Sequence, residues 1–448
     1  MRRICKSLVL LSVLLLASNL RSQEQPQDKG RFEIDLSELQ KEVDKVAAKP
    51  YSLGGFLEFQ PTLLGIDQDS AVSRARFYRS RPDSPFDQYN FRLRLDGSFK
   101  KDWFSAFFKT DTLVRNDFEG WDEDTKLFEA YASAKPNANF IFEAGKKVMK
   151  WGKGYAWNPV SFIAPPKNPE DPEEALEGTT VATADYVQSF DGPLKTLTLT
   201  TALIPVYEYV NAKFGEPRRV NFASKLYLLL YDTDIDLMVL TGSSRTTRYG
   251  FDFSKNLTTN LEIHGEFAVV NNLDKMAINA SGQGFRTQSD ALSQLIGLRY
   301  LSERETTYIL EYYHNGAGYS RSQIKDFVSF VDRSYQTFQT TGDDSGLVRA
   351  SALLDGPYGQ PNVGRHYLYF RASQKEPFDI LYFTPAVTSI MNLTDASLTV
   401  IPELAYSPMT NLDMRFRTPV LLGKKGTEYG EKQNDYRIEL RLRYHFGF

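Results

Sequence analysis

Near its end the chain reads Arg437-Ile438-Glu439-Leu440-Arg441-Leu442-Arg443-Tyr444-His445-Phe446, and charged or polar residues alternate with apolar ones throughout. Alternate residues of a β-strand share one face, so this pattern predicts a strand with one charged face and one apolar face. Residues 91–96 repeat the pattern. A soluble β-sandwich would also show it, because the outer face of such a sheet meets water. The length and the number of the strands decide between the two.

Eighteen stretches of the chain carry this two-residue period, and each is roughly 9 to 14 residues long. Strands of soluble proteins average about 5 to 6 residues, whereas tilted strands that cross a membrane need about 9 to 11. The lengths therefore favour membrane strands. The predicted strands lie near residues 51–64, 88–100, 103–113, 124–135, 139–148, 179–190, 194–204, 219–231, 234–242, 246–254, 258–270, 291–301, 305–314, 364–373, 378–390, 395–406, 410–418 and 434–446.

The connections between these strands fall into two kinds. Those after even-numbered strands are mainly tight turns built from Gly, Pro, Asn, Asp and Ser, the residues that turns prefer. Most of those after odd-numbered strands are long, namely residues 65–87, 114–123, 149–178, 205–218, 271–290, 315–363 and 419–433. This segregation is typical of outer-membrane barrels. Residues 51–448 are therefore predicted to be all-β, forming a transmembrane antiparallel up-and-down β-barrel of about 18 strands, within a range of 16 to 20.

Residues 1–22 are predicted to be a signal peptide. Arg2, Arg3 and Lys6 precede an apolar core too short to serve as a spanning anchor, the order found in an export leader. The alternative is an uncleaved anchor on a periplasmic protein. The single cysteine, Cys5, lies in this leader, so the mature chain would contain no disulfide. Residues 23–50 suggest a flexible periplasmic start and a short amphipathic helix, which either is solvated or binds a partner or enters the pore.

Composition excludes several classes of protein. Outside the first 20 positions the longest apolar run covers only residues 226–231, whereas a spanning helix needs about 20 apolar residues. The 31 Phe, 25 Tyr and 4 Trp residues argue against a disordered chain. Removing the four basic residues of the leader leaves 49 of the 53 Lys and Arg residues against 56 acidic ones, a balance that argues against nucleic-acid binding.

Charged residues of the alternating strands are predicted to face the lumen in two groups. Strands 17, 18, 1, 2 and 3 are contiguous once the barrel closes, and they carry what we call the basic wall: Arg92, Arg94, Lys109, Arg415, Arg417, Arg437, Arg441 and Arg443. The opposite side carries the acidic wall: Asp236, Asp252, Glu262, Glu266 and Glu311. Such a division sets a field across the lumen that concentrates anions at the basic wall. The alternative is that these charges form salt-bridge ladders that only stiffen the barrel.

The connection 149–178 is the most distinctive segment of the chain. It is rich in aromatic residues, including Trp151, Tyr155 and Trp157, and in prolines. Apolar surface of this size is costly to leave in water, and prolines restrict the conformations of the loop. We expect this loop to fold inward and constrict the channel. The alternative is that it packs on neighbouring loops and closes the top of the barrel.

Two segments carry a family resemblance. Gly145-Lys146 followed by Trp151-Gly152 and Asn158-Pro159 resembles the G(K/R)xxxxWG…NP pattern of porin-like families, including the alginate-export type and related 18-stranded barrels. The resemblance covers about 40 residues and implies a position near the constriction for Lys147, Lys150, Trp151, Lys153 and Asn158. The final strand, ending at Phe448, resembles the signal that the barrel-assembly machinery reads.

Motifs for catalysis and for metal binding are missing from the sequence. The four histidines lie on separate strands without a zinc-ligand spacing, and no phosphate-binding loop or Gly-x-Ser-x-Gly nucleophile motif occurs. We therefore expect no cofactor, no metal and no enzymatic activity. The sequence favours a porin for passive diffusion of small polar or anionic solutes, surrounded by outer-membrane lipid and lipopolysaccharide. Two alternatives remain: a scaffold or sheath plugged by its own N-terminal segment or by a partner protein, and an outer-membrane hydrolase that pairs His264 with a serine.

Overall fold

The barrel wall makes up most of the described chain. The computed structural model describes residues 49–448, so the predicted signal peptide and nearly all of the 23–50 segment lie outside the described residues. The strands are β1 (Tyr51–Ile66), β2 (Phe86–Lys101), β3 (Phe104–Asp117), β4 (Gly120–Ala134), β5 (Phe140–Lys147), β6 (Thr179–Ser189), β7 (Leu194–Val206), β8 (Arg219–Leu230), β9 (Thr233–Gly242), β10 (Arg248–Thr258), β11 (Leu261–Ile278), β12 (Gly284–Leu301), β13 (Thr306–His314), β14 (His366–Gln374), β15 (Phe383–Asn392), β16 (Ser397–Met409), β17 (Leu412–Arg417), β18 (Val420–Leu422) and β19 (Asn434–Gly447).

Helices are few by comparison. Those in the described range are α1 (Ala71–Arg76), α2 (Arg321–Thr341), α3 (Ser345–Leu354) and a single 3-10 turn, Pro377–Asp379. Within residues 49–448, none is both long enough and apolar enough to cross a bilayer.

The strands close into a cylinder. Neighbours along the chain pair antiparallel, and β1 pairs with both β2 and β19, with Gly54 opposite Gly447. The segments β17 and β18 share one position in the wall, because both pair with β16 and β19. Pro419 lies between them and has no N–H to give to the ladder. The wall therefore has 18 positions plus one extra strand segment, which confirms the predicted barrel.

The outside of the wall is apolar. Side chains such as Phe108, Leu237 and Leu310 point away from the lumen and are between a third and a half exposed. In hydrocarbon no water can satisfy a free backbone N–H or C=O, so a sheet is stable there only when it has no edges. A closed wall with an apolar exterior meets both conditions. The protein is thus a barrel of the bacterial outer membrane, as predicted.

Two of the predicted long loops are strands instead. Strands β3 and β4 continue until only residues 118–119 separate them, and β11 and β12 extend to a turn at residues 279–283. The hairpin of β11 and β12 is polar near its tip, where Arg286 forms an ion pair with Asp274 at 2.9 Å. Above the membrane no lipid contacts the hairpin, so the sequence loses the regular alternation of apolar and polar residues from which a membrane strand is recognised.

The connection between β13 and β14 folds into α2 and α3, which together with α1 from the β1–β2 connection form what we call the helical cap. It forms a hydrophobic core in which Phe327, Val331, Leu347 and Tyr358 pack against Ile278 at the tip of β11. Residues 315–363, which the sequence predicts only as a long loop between strands, are therefore largely helical. Ser320 and Gly342, residue types that also favour loops, cap α2: Ser320 forms a capping box, and Gly342 ends the helix in the left-handed conformation.

Candidate functional site

The basic wall lies on the inner face of five neighbouring strands. Residues that oppose each other on adjacent strands share a face, and the register places Arg443 beside Glu58, Glu58 beside Arg92, and Arg415 beside Arg441. The structure places all the predicted members of this wall, Arg92, Arg94, Lys109, Arg415, Arg417, Arg437, Arg441 and Arg443, on the lumen side.

Carboxylates within the same strands pair with many of these cations. Arg94 binds Asp111 at 2.6 Å, Arg443 binds Glu58 at 2.6 Å, and Arg417 binds Glu439 at 2.7 Å. Lys109 similarly binds Glu129 at 3.1 Å. None of these acidic partners belongs to the basic wall as it is predicted from the sequence. The alternation contained the signal for one of them, because Glu439 shares the face of Arg437 and Arg441.

The acidic wall faces the lumen from β9, β10, β11 and β13. Asp236 opposes Asp252, which in turn opposes Glu266 on the next strand. Asp236, Asp252, Glu266 and Glu311 are almost completely buried, whereas Glu262 remains partly exposed. A buried carboxylate is costly unless it is hydrogen-bonded or paired with a cation. The partners of these carboxylates come mainly from the connection between β5 and β6.

The first half of that connection donates its backbone N–H groups to the acidic wall. The N–H groups of Lys153 and Gly154 both donate to Glu266 Oε1 at 2.6 Å, and Asn158 Nδ2 donates to the same oxygen at 3.1 Å. Ala156 N donates to Glu311 Oε2 at 2.9 Å, and Tyr155 N donates to the other oxygen. Successive N–H groups that converge on one anion form a nest. Here the anion is supplied by the barrel itself.

Glycine is required where this nest approaches the wall. Gly152 has a φ of +95°, and a Cβ at this position would lie 2.7 Å from Glu266 Oε1. A Cβ on Gly154 would lie 2.1 Å from the carbonyl oxygen of Trp157. The Gly-Lys-Gly sequence therefore serves close backbone approach to a carboxylate. Between these glycines, Lys153 Nζ lies 3.0 Å from Asp236 Oδ2 and supplies a cation to the same wall.

The second half of the connection reaches the basic wall. Asp171 binds Arg415 with both carboxylate oxygens, one of them 3.1 Å from Nη1, and lies 3.8 Å from Arg417 and 3.7 Å from Arg441. Glu170 pairs with Arg437. Burial raises the pKa of Asp171, but the hydrogen bond and charge of Arg415 outweigh it, with Arg417 and Arg441, and lower the pKa to about 2. The connection is thus tied to both walls.

Aromatic side chains of the same connection pack inside the barrel. Trp157 stacks on Tyr313 with ring centroids 5.2 Å apart and contacts Tyr367 and Tyr369. Trp151 belongs to a separate buried cluster with Phe162 and with side chains of the β6–β11 wall. Only 4% of each tryptophan is exposed.

The remaining residues of the predicted constriction differ in their surroundings. Burial is the main cause that raises the pKa of Tyr155 to about 12, and its hydroxyl donates to Glu173 at 3.3 Å. Lys147 pairs with Glu143 on its own strand, and Lys150 is exposed. The sequence missed Lys167, whose Nζ donates to the carbonyls of Gly154 and Tyr155 at 2.8 and 3.1 Å. Burial lowers the pKa of Lys167.

Two cavities flank the connection. One of about 280 Å³ lies between the basic wall and residues 168–175. The other, of about 260 Å³, lies between residues 152–155 and strands β11 to β13, and His264 and Arg299 line it. Each cavity holds roughly nine water molecules at the volume of liquid water.

The described residues offer little for catalysis or metal binding. His264 Nε2 lies 2.9 Å from Glu311, and the facing Ser254 donates its hydroxyl to Glu262 at 3.0 Å, so no hydrogen bond links this serine to the histidine. Among residues 49–448, no cluster of His, Cys, Asp or Glu has the arrangement of a metal site. The carboxylate of Asp344 is already used, because it accepts hydrogen bonds from Tyr78 and Arg79.

Known proteins match this chain in structure but not in sequence. No family model matches the chain, and no curated protein matches it. Among solved structures, OccAB3 of Acinetobacter baumannii has 11% identity and a TM-score of 0.47, over 89% of this chain and 99% of that one. OprD of Pseudomonas aeruginosa has 10% identity and a TM-score of 0.44, over 89% and 95%.

A third solved structure has a higher score. Wzi of Escherichia coli, described as a carbohydrate-binding β-barrel of the outer membrane involved in group 1 capsule assembly, has 10% identity and a TM-score of 0.51, over 92% of this chain and 87% of that one. At this identity the likeness shows the fold alone. The chain thus shares the closed antiparallel barrel of outer-membrane proteins.

Proposed function

We propose that the protein is a passive outer-membrane channel for small polar or anionic solutes, without enzymatic activity, and that residues 149–178 narrow its lumen. One observation carries this proposal: the connection donates N–H groups to Glu266 and Glu311 on one side and pairs Asp171 with Arg415 on the other. A segment anchored on two separate parts of the wall, β11 to β13 and β17, crosses the lumen between them and leaves smaller passages beside it. The two cavities beside it are what supports a route for small solutes.

The arginines that line the cavity at the basic wall support a modest preference for anions. The cavity at the basic wall is lined by six arginines, Arg92, Arg94, Arg415, Arg417, Arg441 and Arg443, and by four carboxylates, Glu58, Asp171, Glu173 and Glu174. Asp111 and Glu439 bind Arg94 and Arg417 and bring the carboxylates to six, so a preference for anions rests on the guanidinium groups that face the passage and not on an excess of positive charge. Since most of these arginines are paired, the salt-bridge ladder and the selective wall act together.

The same anchoring favours a second candidate, a closed barrel that serves as a scaffold. In this candidate the connection closes the lumen, and the outer surfaces of the barrel serve as the scaffold. The version in which residues 23–50 plug the barrel concerns the part of the chain outside the described residues. Partners proposed for either candidate are outer-membrane lipid, lipopolysaccharide and, through the exposed Phe448, the barrel-assembly machinery.

Planar-bilayer recording of the purified barrel distinguishes the two candidates. The channel proposal predicts stepwise conductance with anions carrying more of the current than cations. No steps at any voltage would favour the scaffold, and a clear cation preference would refute the role given to the basic wall. A barrel that lacks residues 23–50 should conduct like the full chain unless that segment is the plug.

A further inference from the structure

Asp252, on the inner face of β10, is a buried carboxyl group without a partner. Its side chain is fully buried, and within residues 49–448 neither of its oxygens accepts a hydrogen bond. The other buried carboxylates of the acidic wall have a cation or an N–H donor within reach. A carboxylate buried without such a partner is so costly that the group takes up a proton instead.

The residue opposite Asp252 is a second aspartate. Asp236 on β9 lies directly across from it, and the two carboxyl groups are close enough to form a hydrogen bond with each other. A carboxylate is only an acceptor, so such a bond forms only when one of the two groups carries a proton. Two negative charges side by side in a buried site are also strongly disfavoured. The arrangement is therefore stable with one proton and one negative charge between the two aspartates.

The charges that face the two aspartates balance only when this proton is present. Lys153 of the β5–β6 connection and Lys225 of β8 lie 3.0 and 3.5 Å from Asp236. Glu266 opposes Asp252 from β11. Three carboxyl groups thus face two lysines, and one bound proton makes the cluster neutral.

The charged groups one step further along the strands have partners of their own. In one direction, Asp234 accepts a hydrogen bond from Tyr227, and His264 Nε2 lies 2.9 Å from Glu311. In the other direction, the residues that oppose Gly250 are uncharged. The two aspartates are thus left with the two lysines as their cations.

We propose that Asp236 and Asp252 share one proton, which is taken up from solution when the first half of the β5–β6 connection docks on the wall. The connection covers the two aspartates, because Lys153 reaches Asp236 and residues 152–154 lie against Glu266. When this segment leaves the wall, both aspartates face the water of the lumen, where an aspartate is ionised at neutral pH.

The sign of the pH dependence follows from the proton count. The docked state binds one proton more than the undocked state, so docking is favoured as the pH falls and is weakened by up to about tenfold for each unit that the pH rises. The proton thereby couples the width of the passage beside the connection to pH, a consequence that rests on the proposed channel function.

Hydrogen exchange of the nest amides tests this proton. The N–H groups of Lys153, Gly154 and Ala156 donate to the wall and exchange when the first half of the connection leaves it. Exchange is measured on the detergent-solubilised full chain at pH 6, 7 and 8, and each rate is compared with that of a free peptide at the same pH. The protection of these amides should fall by roughly tenfold for each pH unit.

Three variants locate the proton. Asp252→Asn cannot ionise and keeps a donor to Asp236, so its protection should stay level from pH 6 to 8. Asp111→Asn is the matched control, because Asp111 is a buried lumen aspartate that is paired with Arg94 at 2.6 Å; it should keep the native slope. His264→Gln should keep it as well. A slope that disappears in His264→Gln and persists in Asp252→Asn would place the proton on the histidine and overturn the proposal.

Infrared spectroscopy detects the proton without any motion of the connection. A protonated carboxyl group has a carbonyl stretch that an ionised one lacks. At pH 7 part of this band should be missing from Asp252→Asn and retained in Asp111→Asn. Identical bands in the native protein and in Asp252→Asn would mean that Asp252 is ionised, and the proposal would fail.

Conductance separates this inference from the channel proposal. Stepwise conductance of a barrel whose nest amides keep level protection from pH 6 to 8 would overturn the shared proton and leave the channel intact. The expected slope and infrared band in a barrel that does not conduct would support the proton and refute the channel. A difference in electrophoretic mobility between heated and unheated samples checks that each variant is folded, and the slope of the native protein tests the proposal should a variant fail to fold.

Discussion

Asp171→Asn tests whether one carboxylate holds the second half of the β5–β6 connection on the basic wall. Its charge is compensated by Arg415, which is itself mostly buried, with Arg417 and Arg441 nearby. A charged hydrogen bond contributes about 1.5 to 3 kcal/mol. The pKa of about 2, against about 3.9 for a free Asp, corresponds to a contribution of the same order, roughly 2 to 3 kcal/mol. The amide should therefore weaken docking of this segment by about 2 to 3 kcal/mol, or roughly 30- to 150-fold.

Hydrogen exchange reads this change directly. Within the segment, Asp171 N donates to Asn168 O at 3.1 Å and Glu174 N donates to Asp171 O at 3.0 Å. Exchange of these two amides should accelerate by roughly the same 30- to 150-fold in the variant. The amides of the wall strands should keep their rates, because the barrel does not depend on this contact.

Asp274→Asn provides the matched control. Asp274 pairs with Arg286 at 2.9 Å on the exposed β11–β12 hairpin, where an ion pair contributes only about 0 to 1 kcal/mol. Its replacement should leave the exchange of Asp171 and Glu174 unchanged. If Asp171→Asn leaves these amides within about threefold of the native rates, the carboxylate does not anchor the segment and the reasoning fails.

Four further predictions follow from the same contacts. The pKa of Asp171 in the docked segment lies below its value in the unfolded chain, so Asp171 stabilises docking at pH above about 4, and this contribution is lost as the pH falls towards 2. Exchange of the Asp171 and Glu174 amides, measured at pH 5, 4 and 3, should show protection that declines only in the last step. Gly152→Ala should expose the first half of the connection to limited proteolysis, because the new Cβ would meet Glu266 at 2.7 Å with φ at +95°. Leu347→Ala, in the fully buried core of the helical cap, should destabilise the cap by about 2 to 5 kcal/mol without opening the barrel, as seen by proteolysis of α2 and α3 against retained electrophoretic mobility. Purified barrel should release no fatty acid from phospholipid vesicles; activity that disappears in His264→Ala would revive the hydrolase alternative.

The wall could be predicted from sequence because its two faces meet different surroundings. Within residues 437–446 successive side chains point alternately to the water of the lumen and to lipid, and polar and apolar residue types alternate accordingly. The pattern stops where the difference stops, so the polar hairpin at residues 271–290 gave no strand signal. The helical cap was not predicted for another reason: the Ser and Gly residues that cap α2 are also residues that signal a loop.

The interior was harder to foresee than the wall. Alternation assigns Arg441 to the lumen but cannot say which carboxylate reaches it, because the partners come from elements far apart in the chain. Glu266 could be recognised as a lumen residue, yet its hydrogen bonds to the backbone of Lys153 and Gly154 depend on the path of a connection with no periodicity. Pairing across the lumen is a property of tertiary packing that local pattern does not encode.

The anchors of the β5–β6 connection also constrain the order of assembly. Asp171 is separated from Arg415 by 244 residues, and Glu170 is separated from Arg437 by 267. The arginines that receive them lie on β17 and β19, near the C-terminal end of the chain, so the segment cannot dock until those strands are in the wall. Contacts between such distant residues form late because the intervening chain must first be ordered. Docking of this segment therefore requires a closed barrel. In a barrel that lacks the C-terminal strands, the carboxylates of Glu170 and Asp171 would remain in water.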